Sequence, residues 1–312
     1  WLGAYGVPVV VLSATLPASR RRTLAEAYAG VRKGAAEFAP LAQEESYPLI
    51  TAVKRGEAPT RYRPAASGRS TNVCLERLHD DLDVLVERVE TELADGGNAL
   101  VIRNTVARVH DAAEELRARF GHDNVTVAHA RFLDLDRLAN DEDLLRRFGD
   151  PDKVVELGGA RPHGPHVVVA SQVAEQSLDI DFDLLVTDLA PVDLMLQRMG
   201  RLVTGVDWST PVPTPLGGTK IYGTYPLLRT AAVLEGRLLA ADAGNTEAST
   251  VSLPEDISPL VQAVYGDAPV GPETWRTTID QERKGFAYTV ADQARKAEGF
   301  LLGDVGRHGR AL

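Results

Sequence analysis

Four groups of polar side chains follow apolar runs of this sequence, and together they could hold a phosphate-containing ligand. Short hydroxyls and amides contact a sugar-phosphate backbone without reading its sequence, and an arginine stabilises charge on phosphate oxygens. The groups are Ser13 with Thr15, Asn104 with Thr105, the run Ser171, Gln172, Glu175, Gln176 and Asp179, and Gln197 with Arg201. Their recurrence indicates one shared site more strongly than any single group does.

The segments that would position these groups alternate between strand and helix from Asn72 onwards. The strand candidates are Val73–Leu78, Ala99–Arg103, Val125–His129, Val167–Ala170 and Leu184–Thr187, and the helical patterns between them are Leu82–Leu93, Val106–Phe120 and Asp134–Phe148. This alternation predicts the α/β class, with a parallel sheet and helices on both faces. Ligands of such sheets bind outside the carboxyl ends of the strands, where the polar groups stand.

Outside this alternating region the sequence gives weaker signals. The continuous apolar run Val7–Leu12 predicts a buried parallel strand, followed by a helix that opens at Ser19. Residues 30–70 are rich in Gly, Pro, Ala and Arg and predict a connector of weak structure. Tyr225–Ala240 and Pro254–Tyr265 favour two further helices.

Composition limits the classes of protein that this chain can belong to. Its 312 residues are 44% hydrophobic and 25% charged, as in an ordinary globular protein, and the net charge is -10. A surface for nucleic acid must therefore be local, and residues 54–69 carry five basic side chains against Glu57. That patch is equally well explained as a solvated loop. The single cysteine, Cys74, excludes an internal disulfide and suits the cytoplasm, and no segment predicts a membrane span.

Several motifs resemble those of superfamily-two helicases. Ser13-Ala14-Thr15 after an apolar strand resembles motif III, Gln197 to Arg201 resembles the QxxGR of motif VI, and Ser171 to Asp179 has the register of motif V. The strings ASQVAEQSLDIDFDLLVTDLAPVDLMLQRMGRL, ALVIRNTVARVHDAAEEL and AHARFLDLDRL resemble one branch, the CRISPR-associated helicase-nuclease of type I systems. YPLLRTAAVL and PEDISPLVQAVYGD resemble its tail, so the resemblance covers most of the chain from Val7 to about Gly266.

The resemblance implies two RecA-like lobes with nucleotide bound between them. Residues 1–70 would be the tail of the first lobe and a connector, 71–245 the second lobe, and 246–312 a helical linker or the start of an accessory carboxy-terminal domain. Arg201 would contact the phosphates of ATP with Gln197 as its positioning partner, and Asp179 would contact the ribose or metal-bound water. The alternatives are a rim salt bridge for Arg201 and a helix or turn cap for Asp179.

The resemblance also implies contacts to DNA and between the lobes. Thr105, Ser171 and Gln172, with Asn104, would touch the backbone of a single DNA strand, and His129 and Arg131 would extend the track. A structural role for His129 is equally open. Glu175 would support Gln172 or Arg201. Ser13 and Thr15 would couple the lobes by hydrogen bonds, and the alternative is that they cap the next helix.

Two features mimic a metal site or a nucleotide site without predicting one. The pairs His79-Asp80 and His110-Asp111 resemble an HD nuclease signature, but neighbouring side chains on a helix diverge by about 100° and no further histidine completes a shell. The acidic run 141–143 follows no apolar strand and indicates the solvated face of a helix. The sequence contains no GxxxxGK[ST] phosphate loop, so we expect this chain to carry half of an ATP site.

One position departs from the family pattern. The family continues GRLHRH, whereas this chain has Thr204 in place of the second arginine. Either that arginine is lost or residues are missing between Leu202 and Val203, and we expect the latter.

The combined expectation is the helicase part of an ATP-dependent single-stranded DNA translocase and helicase-nuclease. The intact protein would use ATP and Mg²⁺ to unwind and degrade foreign DNA after recruitment by an RNA-guided surveillance complex. Two alternatives stay open: a RecA-like interaction module without catalysis, and a superfamily-two helicase lobe that acts on RNA.

Overall fold

A computed structural model describes residues 2–129, 134–172, 180–199, 206–207 and 218–300. These residues form two units. The first contains the chain up to Ser70, Pro254–Pro269 and the chain from Ile279 onwards, and the second contains Thr71–Leu253 and Val270–Thr278. No helix among the described residues is both long and apolar enough to cross a membrane.

The first unit shows that the predicted strand Val7–Leu12 is wrong. Val10 and Leu12 are 80% and 90% exposed, and the segment has no strand pairing with any described residue. A buried parallel strand needs hydrogen-bonded neighbours and side chains over both faces, and the described part of the chain supplies neither here. Helix α1 (Ala18–Ala29) follows, and it begins one residue before the predicted Ser19.

The connector after α1 has more structure than its composition predicts. A 3₁₀ helix at Ala36–Ala42 buries Phe38 and Leu41 against α1, and β1 (Ile50–Ala52) pairs antiparallel with β2 (Thr60–Tyr62). Gly and Pro residues mark the turns correctly, but the few apolar residues between them suffice for a small core.

The basic patch of the connector is largely occupied by contacts within the protein. Arg61 and Arg63 both form ion pairs with the buried carboxylate of Glu44, and Lys54 lies 3.9 Å from Glu57. Because these pairs neutralise much of its charge, the patch offers little support for a nucleic-acid surface.

The second unit is built on a parallel sheet, as predicted. Its strands are β3 (Thr71–Cys74), β4 (Arg77–Leu78), β5 (Asn98–Ile102), β6 (Val125–Ala128), β7 (His166–Ala170), β8 (Leu184–Asp188), β9 (Val206–Asp207) and β10 (Thr250–Leu253). The main sheet has the order β4-β9-β8-β5-β7-β6, and every neighbouring pair in it is parallel. The four longer strands β8, β5, β7 and β6 are neighbours in this order, and the two-residue strands β9 and β4 extend the sheet beyond β8.

The predicted strand Val73–Leu78 is two strands in two sheets. Residues 71–74 form β3 and pair antiparallel with β10, and only Arg77–Leu78 joins the main sheet. The apolar run could not reveal this division because the partner of β3 lies far along the chain. Val73 and Val251, which face each other in the small sheet, are both buried.

Helices cover both faces of the main sheet. The helices of this unit are α2 (Leu82–Glu92), α3 (Val106–Phe120), α4 (Asp134–Phe148), α5 (Pro151–Glu156), α6 (Val192–Met199), α7 (Gly218–Tyr222) and α8 (Thr224–Asp242). Ala99 and Val101 of β5 pack in one cluster with α2 and α3, and the alternating Leu100 and Ile102 are equally buried on the other face. Burial of both faces explains why the strands are continuous apolar runs.

Local sequence signals set the ends of the helices beside the site. Asp81 caps α2 by accepting hydrogen bonds from the backbone N–H groups of Asp83 and Val84. Thr105 caps α3 in the same way, and Gly121, with a φ of 85°, ends it. The acidic run 141–143 lies within α4, where Asp143 pairs with Arg147, so the solvated-helix interpretation is confirmed.

The tail after β10 is mainly helical, as predicted. Helix α9 (Ile257–Tyr265) matches the expected short helix, and α10 (Arg276–Glu298) is a 23-residue helix that the sequence analysis did not identify. Ile279 is the buried residue of α10. Because so little of α10 is apolar and buried, its periodicity is too weak to predict it.

Candidate functional site

The carboxyl ends of β5, β6 and β7 bring two of the predicted polar groups, together with His129, to one edge of the sheet. In the strand register Ile102 and Ala128 are both partners of Ala170. The ladder continues one step further, since Arg103 N donates to Ala170 O and Ser171 N donates to Ala128 O, each at 2.9 Å. The residues after these strands therefore lie side by side, as the strand-end argument predicts.

The side chain of Gln172 links two of the three loops. Its Nε2 donates to the backbone oxygen of Asn104 at 3.1 Å. The hydroxyl of Ser171 is buried and has no hydrogen-bond partner in the described part of the chain. Buried polar atoms are nearly always satisfied, so an unpaired hydroxyl at a ligand-binding edge is a candidate ligand contact.

Thr105 caps α3 and retains one hydrogen-bonding function. Its Oγ1 accepts from the backbone N of Arg108 at 3.3 Å, which leaves the hydroxyl hydrogen free to donate outwards. The side chain is half-buried. Capping and a backbone contact to DNA are therefore compatible for this residue.

Asn104 does not fit the predicted side-chain contact to a DNA phosphate. Its Nδ2 donates to Leu189 O at 2.9 Å, and the residue is 2% exposed. The remaining Oδ1 has no partner among the described residues, but it is an acceptor, and phosphate oxygens are acceptors too. Asn104 therefore holds the loop after β5 against the end of β8.

His129 lies at the end of β6 and packs inside the protein. It is 7% exposed, and its ring lies edge-on to His110 with 4.9 Å between the ring centroids. This burial favours the structural role that the sequence analysis left open. Asp80, of the HD-like pair His79-Asp80, forms an ion pair with Arg108 and so has a structural role as well.

Helix α6 carries the described half of the motif VI resemblance. Gln197 is exposed, whereas Val192, Met195, Leu196, Arg198 and Met199 are buried. The amide of Gln197 therefore points away from the core and is available to a ligand.

Ser13 and Thr15 lie in the other unit, where Ser13 Oγ accepts from Thr15 N at 3.2 Å and α1 has no side-chain cap. The capping alternative for these two residues is thus not supported.

The structure adds three charged residues that the sequence analysis left without a role. Arg103, Asp188 and Arg198 are each at most 4% exposed and lie at the same edge. Arg103 Nη1 donates to Asp188 Oδ1 at 2.8 Å. The sequence does show a basic and an acidic residue at the ends of two apolar runs, but only the strand register shows that they form a pair.

Four predicted site residues lie outside the described part of the chain: Arg131, Glu175, Asp179 and Arg201. The join between Leu202 and Val203 and the position of Thr204 also lie outside it. Their roles stay predictions.

This fold and its polar edge define a RecA-like helicase lobe. A family model described as CRISPR-associated nuclease/helicase Cas3, C-terminal, matches residues 95–203. The CRISPR-associated nuclease/helicase Cas3 of Streptococcus thermophilus is 34% identical over 285 residues, which cover 85% of this chain and 28% of the relative. The CRISPR-associated endonuclease/helicase Cas3 of Thermus thermophilus is 31% identical, with 98% of this chain and 36% of the relative covered.

Solved structures agree with these sequence matches. The T. fusca Cas3-ATP crystal structure superposes with a TM-score of 0.77 at 30% identity and covers 95% of this chain and 35% of that one. A chain of a CRISPR RNA-guided surveillance complex, pre-nicking, gives 0.74 at 28% identity over 95% of this chain and 38% of that one. The chain belongs to the Cas3 family, of which it is the carboxy-terminal helicase portion. It spans roughly a third of the length of the curated relatives that it matches.

Proposed function

We propose that the intact protein is an ATP-dependent single-stranded DNA translocase and helicase-nuclease. It unwinds and degrades foreign DNA in the cytoplasm after recruitment by an RNA-guided surveillance complex. Membership of the Cas3 family supports this, since the relatives are named nuclease/helicases and one similar chain belongs to a surveillance complex. The observation in this chain that carries the proposal is the unpaired, buried hydroxyl of Ser171 beside Thr105 and Gln172 at the carboxyl edge of a RecA-like sheet.

The DNA-facing side of the proposed site consists of neutral hydrogen-bonding groups. Thr105 has a hydroxyl hydrogen to donate, and Ser171 has a hydroxyl without a partner among the described residues. Neutral donors position a sugar-phosphate backbone without reading its bases, which suits a protein that must move along any sequence. Asn104 holds the loop that carries Thr105, and Arg131 extends the contact.

The nucleotide-facing side consists of Gln197, Arg201 and Asp179. The exposed amide of Gln197 on α6 fits a nucleotide contact, and crystal structures of similar chains are described as Cas3 with ATP, AMPPNP and ADP. Arg201 would contact the phosphates and Asp179 the ribose, with Glu175 as a supporting residue. ATP supplies a phosphoryl group whose cleavage develops charge on its oxygens, and an arginine placed there stabilises that charge. Mg²⁺ enters the proposal with ATP and is assigned to no described residue of this chain.

Arg201→Ala tests the nucleotide side in the intact protein. Loss of one charged contact at the transition state is worth roughly 3 kcal/mol, so the turnover number for ATP should fall about a hundredfold. The dissociation constant for single-stranded DNA should change little. Arg119→Ala is a matched control, because it removes an exposed arginine from α3 that pairs with Glu90. Unchanged turnover in Arg201→Ala would place Arg201 on the surface.

Ser171→Ala and Thr105→Val test the DNA side with the opposite expectation. Each should weaken binding of single-stranded DNA before it lowers ATP turnover at saturating DNA, because each removes a backbone contact worth about 1 kcal/mol. Thr105→Ser keeps the hydroxyl and should behave like the wild type. If neither Ser171→Ala nor Thr105→Val changes affinity, the DNA-facing assignment is wrong. An intact protein without DNA-stimulated turnover would favour the interaction module, and stimulation by RNA alone would favour the RNA helicase.

A further inference from the structure

The carboxylate of Asp188, at the end of β8, is held by four hydrogen bonds. Oδ1 accepts from Arg103 Nη1 at 2.8 Å and from Arg108 Nη2 at 3.0 Å. Oδ2 accepts from Arg108 Nε at 3.1 Å and from the backbone N of Asn104 at 2.7 Å. The residue is 4% exposed, so this carboxylate is a buried charge with fixed geometry.

The charges around Asp188 alternate in sign, and two arginines balance two aspartates. Arg108 also donates to Asp80, with Nη2 at 2.7 Å from Oδ1 and Nη1 at 3.1 Å from Oδ2, and Arg103 Nη1 lies 4.0 Å from Asp80. Burial alone would lower the pKa of Arg108, but its hydrogen bonds to Asp80 and the charge of Asp188 outweigh burial and raise it. Removing one member of such a set leaves a buried charge uncompensated, so each member restrains the positions of the others.

The backbone oxygen of Asp188 contacts helix α6, which carries the nucleotide-facing side of the proposed site. It accepts from Arg198 Nη1 at 2.7 Å, and Arg198 Nη1 also donates to the hydroxyl of Thr187. Arg198 lies on α6 next to Gln197 and is buried. One residue therefore binds both the loop that carries Thr105 and the helix that carries the nucleotide-facing amide.

We propose that Asp188 is a positioning residue that couples the DNA-facing loop after β5 to the nucleotide-facing helix α6. This inference rests on the proposed function, because it assigns DNA to Thr105 and nucleotide to Gln197. A bound DNA strand that displaces this loop also displaces the backbone N–H of Asn104. The Asp188 carboxylate accepts a hydrogen bond from that N–H and must follow it. The carbonyl that holds Arg198 belongs to the same residue, so α6 shifts with it. A contiguous hydrogen-bond network of this kind can carry coupling between two sites.

Asp188→Asn in the intact protein tests the coupling, because asparagine keeps the size of the side chain and removes its charge. The quantity to measure is the stimulation factor, which is ATP turnover at saturating single-stranded DNA divided by turnover without DNA. We expect this factor to fall about tenfold, within the range of coupling between two sites. Partial unfolding lowers both turnovers equally and leaves the factor unchanged, so the factor separates coupling from a merely structural role. Asp188→Glu, which restores the charge, should recover part of it.

Arg147→Gln is the control, because it breaks the pair between Arg147 and Asp143 in the same unit, beside His166 at the amino end of β7 and so at the opposite end of the strands from the site. Its stimulation factor should equal that of the wild type. If Asp188→Asn fails to fold, Arg108→Gln decides the question, since Arg108 is less buried and reaches the same carboxylate. A wild-type stimulation factor in Asp188→Asn, or in Arg108→Gln where the first variant does not fold, overturns the proposal. A wild-type protein that DNA does not stimulate overturns the proposed function instead.

Discussion

At the scale of single residues, His166 is a buried histidine that lies beside an arginine. It begins β7, at the edge of the sheet opposite to the polar site, and Arg147 Nη2 donates to its Nε2 at 2.6 Å. Burial, followed by the charge of Arg147, lowers the pKa of His166 to about 4. The imidazole is therefore neutral in the folded protein at pH values where an unfolded chain would protonate it.

This depressed pKa predicts a loss of stability in mild acid. Between the ordinary histidine pKa of about 6.5 and the folded value of about 4, the unfolded state binds the extra proton. The free energy of unfolding should therefore decrease as the pH falls through this window, by at most about 3 kcal/mol. Chemical denaturation at pH 7 and pH 4.5 measures the change. His166→Gln cannot take up this proton and should show a smaller decrease, and an equal decrease in both proteins would contradict the assignment.

At the scale of elements, Glu44 joins the β1–β2 hairpin to the segment before it. Its carboxylate accepts from Arg61 Nη1 at 3.1 Å, from Arg63 and from the hydroxyl of Ser46. Hydrogen bonds from Ser46 and Arg63 lower the pKa of Glu44 to about 2. The stabilising contribution of Glu44 is therefore present above its ordinary pKa of 4.5 and is lost as the pH falls towards 2.

Glu44→Gln should loosen this hairpin at neutral pH. The change leaves two arginines without their shared carboxylate and should speed amide hydrogen exchange across residues 50–62, because local opening becomes less costly. Glu57→Gln is the matched control, since Glu57 is exposed and its pair with Lys54 is 3.9 Å long. Equal exchange rates in the two variants would show that Glu44 does not hold the hairpin.

The central strands were predictable from sequence because burial on both faces makes each a continuous apolar run. Ala99–Arg103 and Leu184–Thr187 match β5 and β8 to within a residue at each end. Val7–Leu12 has the same pattern without partners among the described residues, and a pattern cannot show whether partners exist. The hydroxyls of Thr105 and Ser171 were predictable as well, because they stand just after the ends of these apolar runs. The pair of Arg103 and Asp188 was not, because it depends on the register that sets Ile102 beside Thr187.

At the scale of the whole molecule, the position of the polar edge matters more than the net charge. A chain with a net charge of -10 does not attract DNA over its whole surface. The connector patch does not supply a local basic surface either, because Glu44 and Glu57 occupy three of its basic residues. The proposed binding of DNA therefore relies on oriented hydrogen-bond donors at the carboxyl edge, supplied from the loops after β5 and β7.

The chain by itself should hydrolyse ATP no faster than the background rate. Its sequence contains no GxxxxGK[ST] loop to cradle the phosphates, and the residues proposed to contact nucleotide stabilise only one side of the transition state. The measurement is phosphate release by the purified 312-residue chain, with and without single-stranded DNA, beside the intact protein at equal concentration. The unaltered chain should still bind single-stranded DNA, and Thr105→Ser, which keeps the cap and the hydroxyl, should bind it equally well, which would show that the lobe is folded while it is inactive. DNA-stimulated turnover by the chain alone would mean that it holds a complete ATP site.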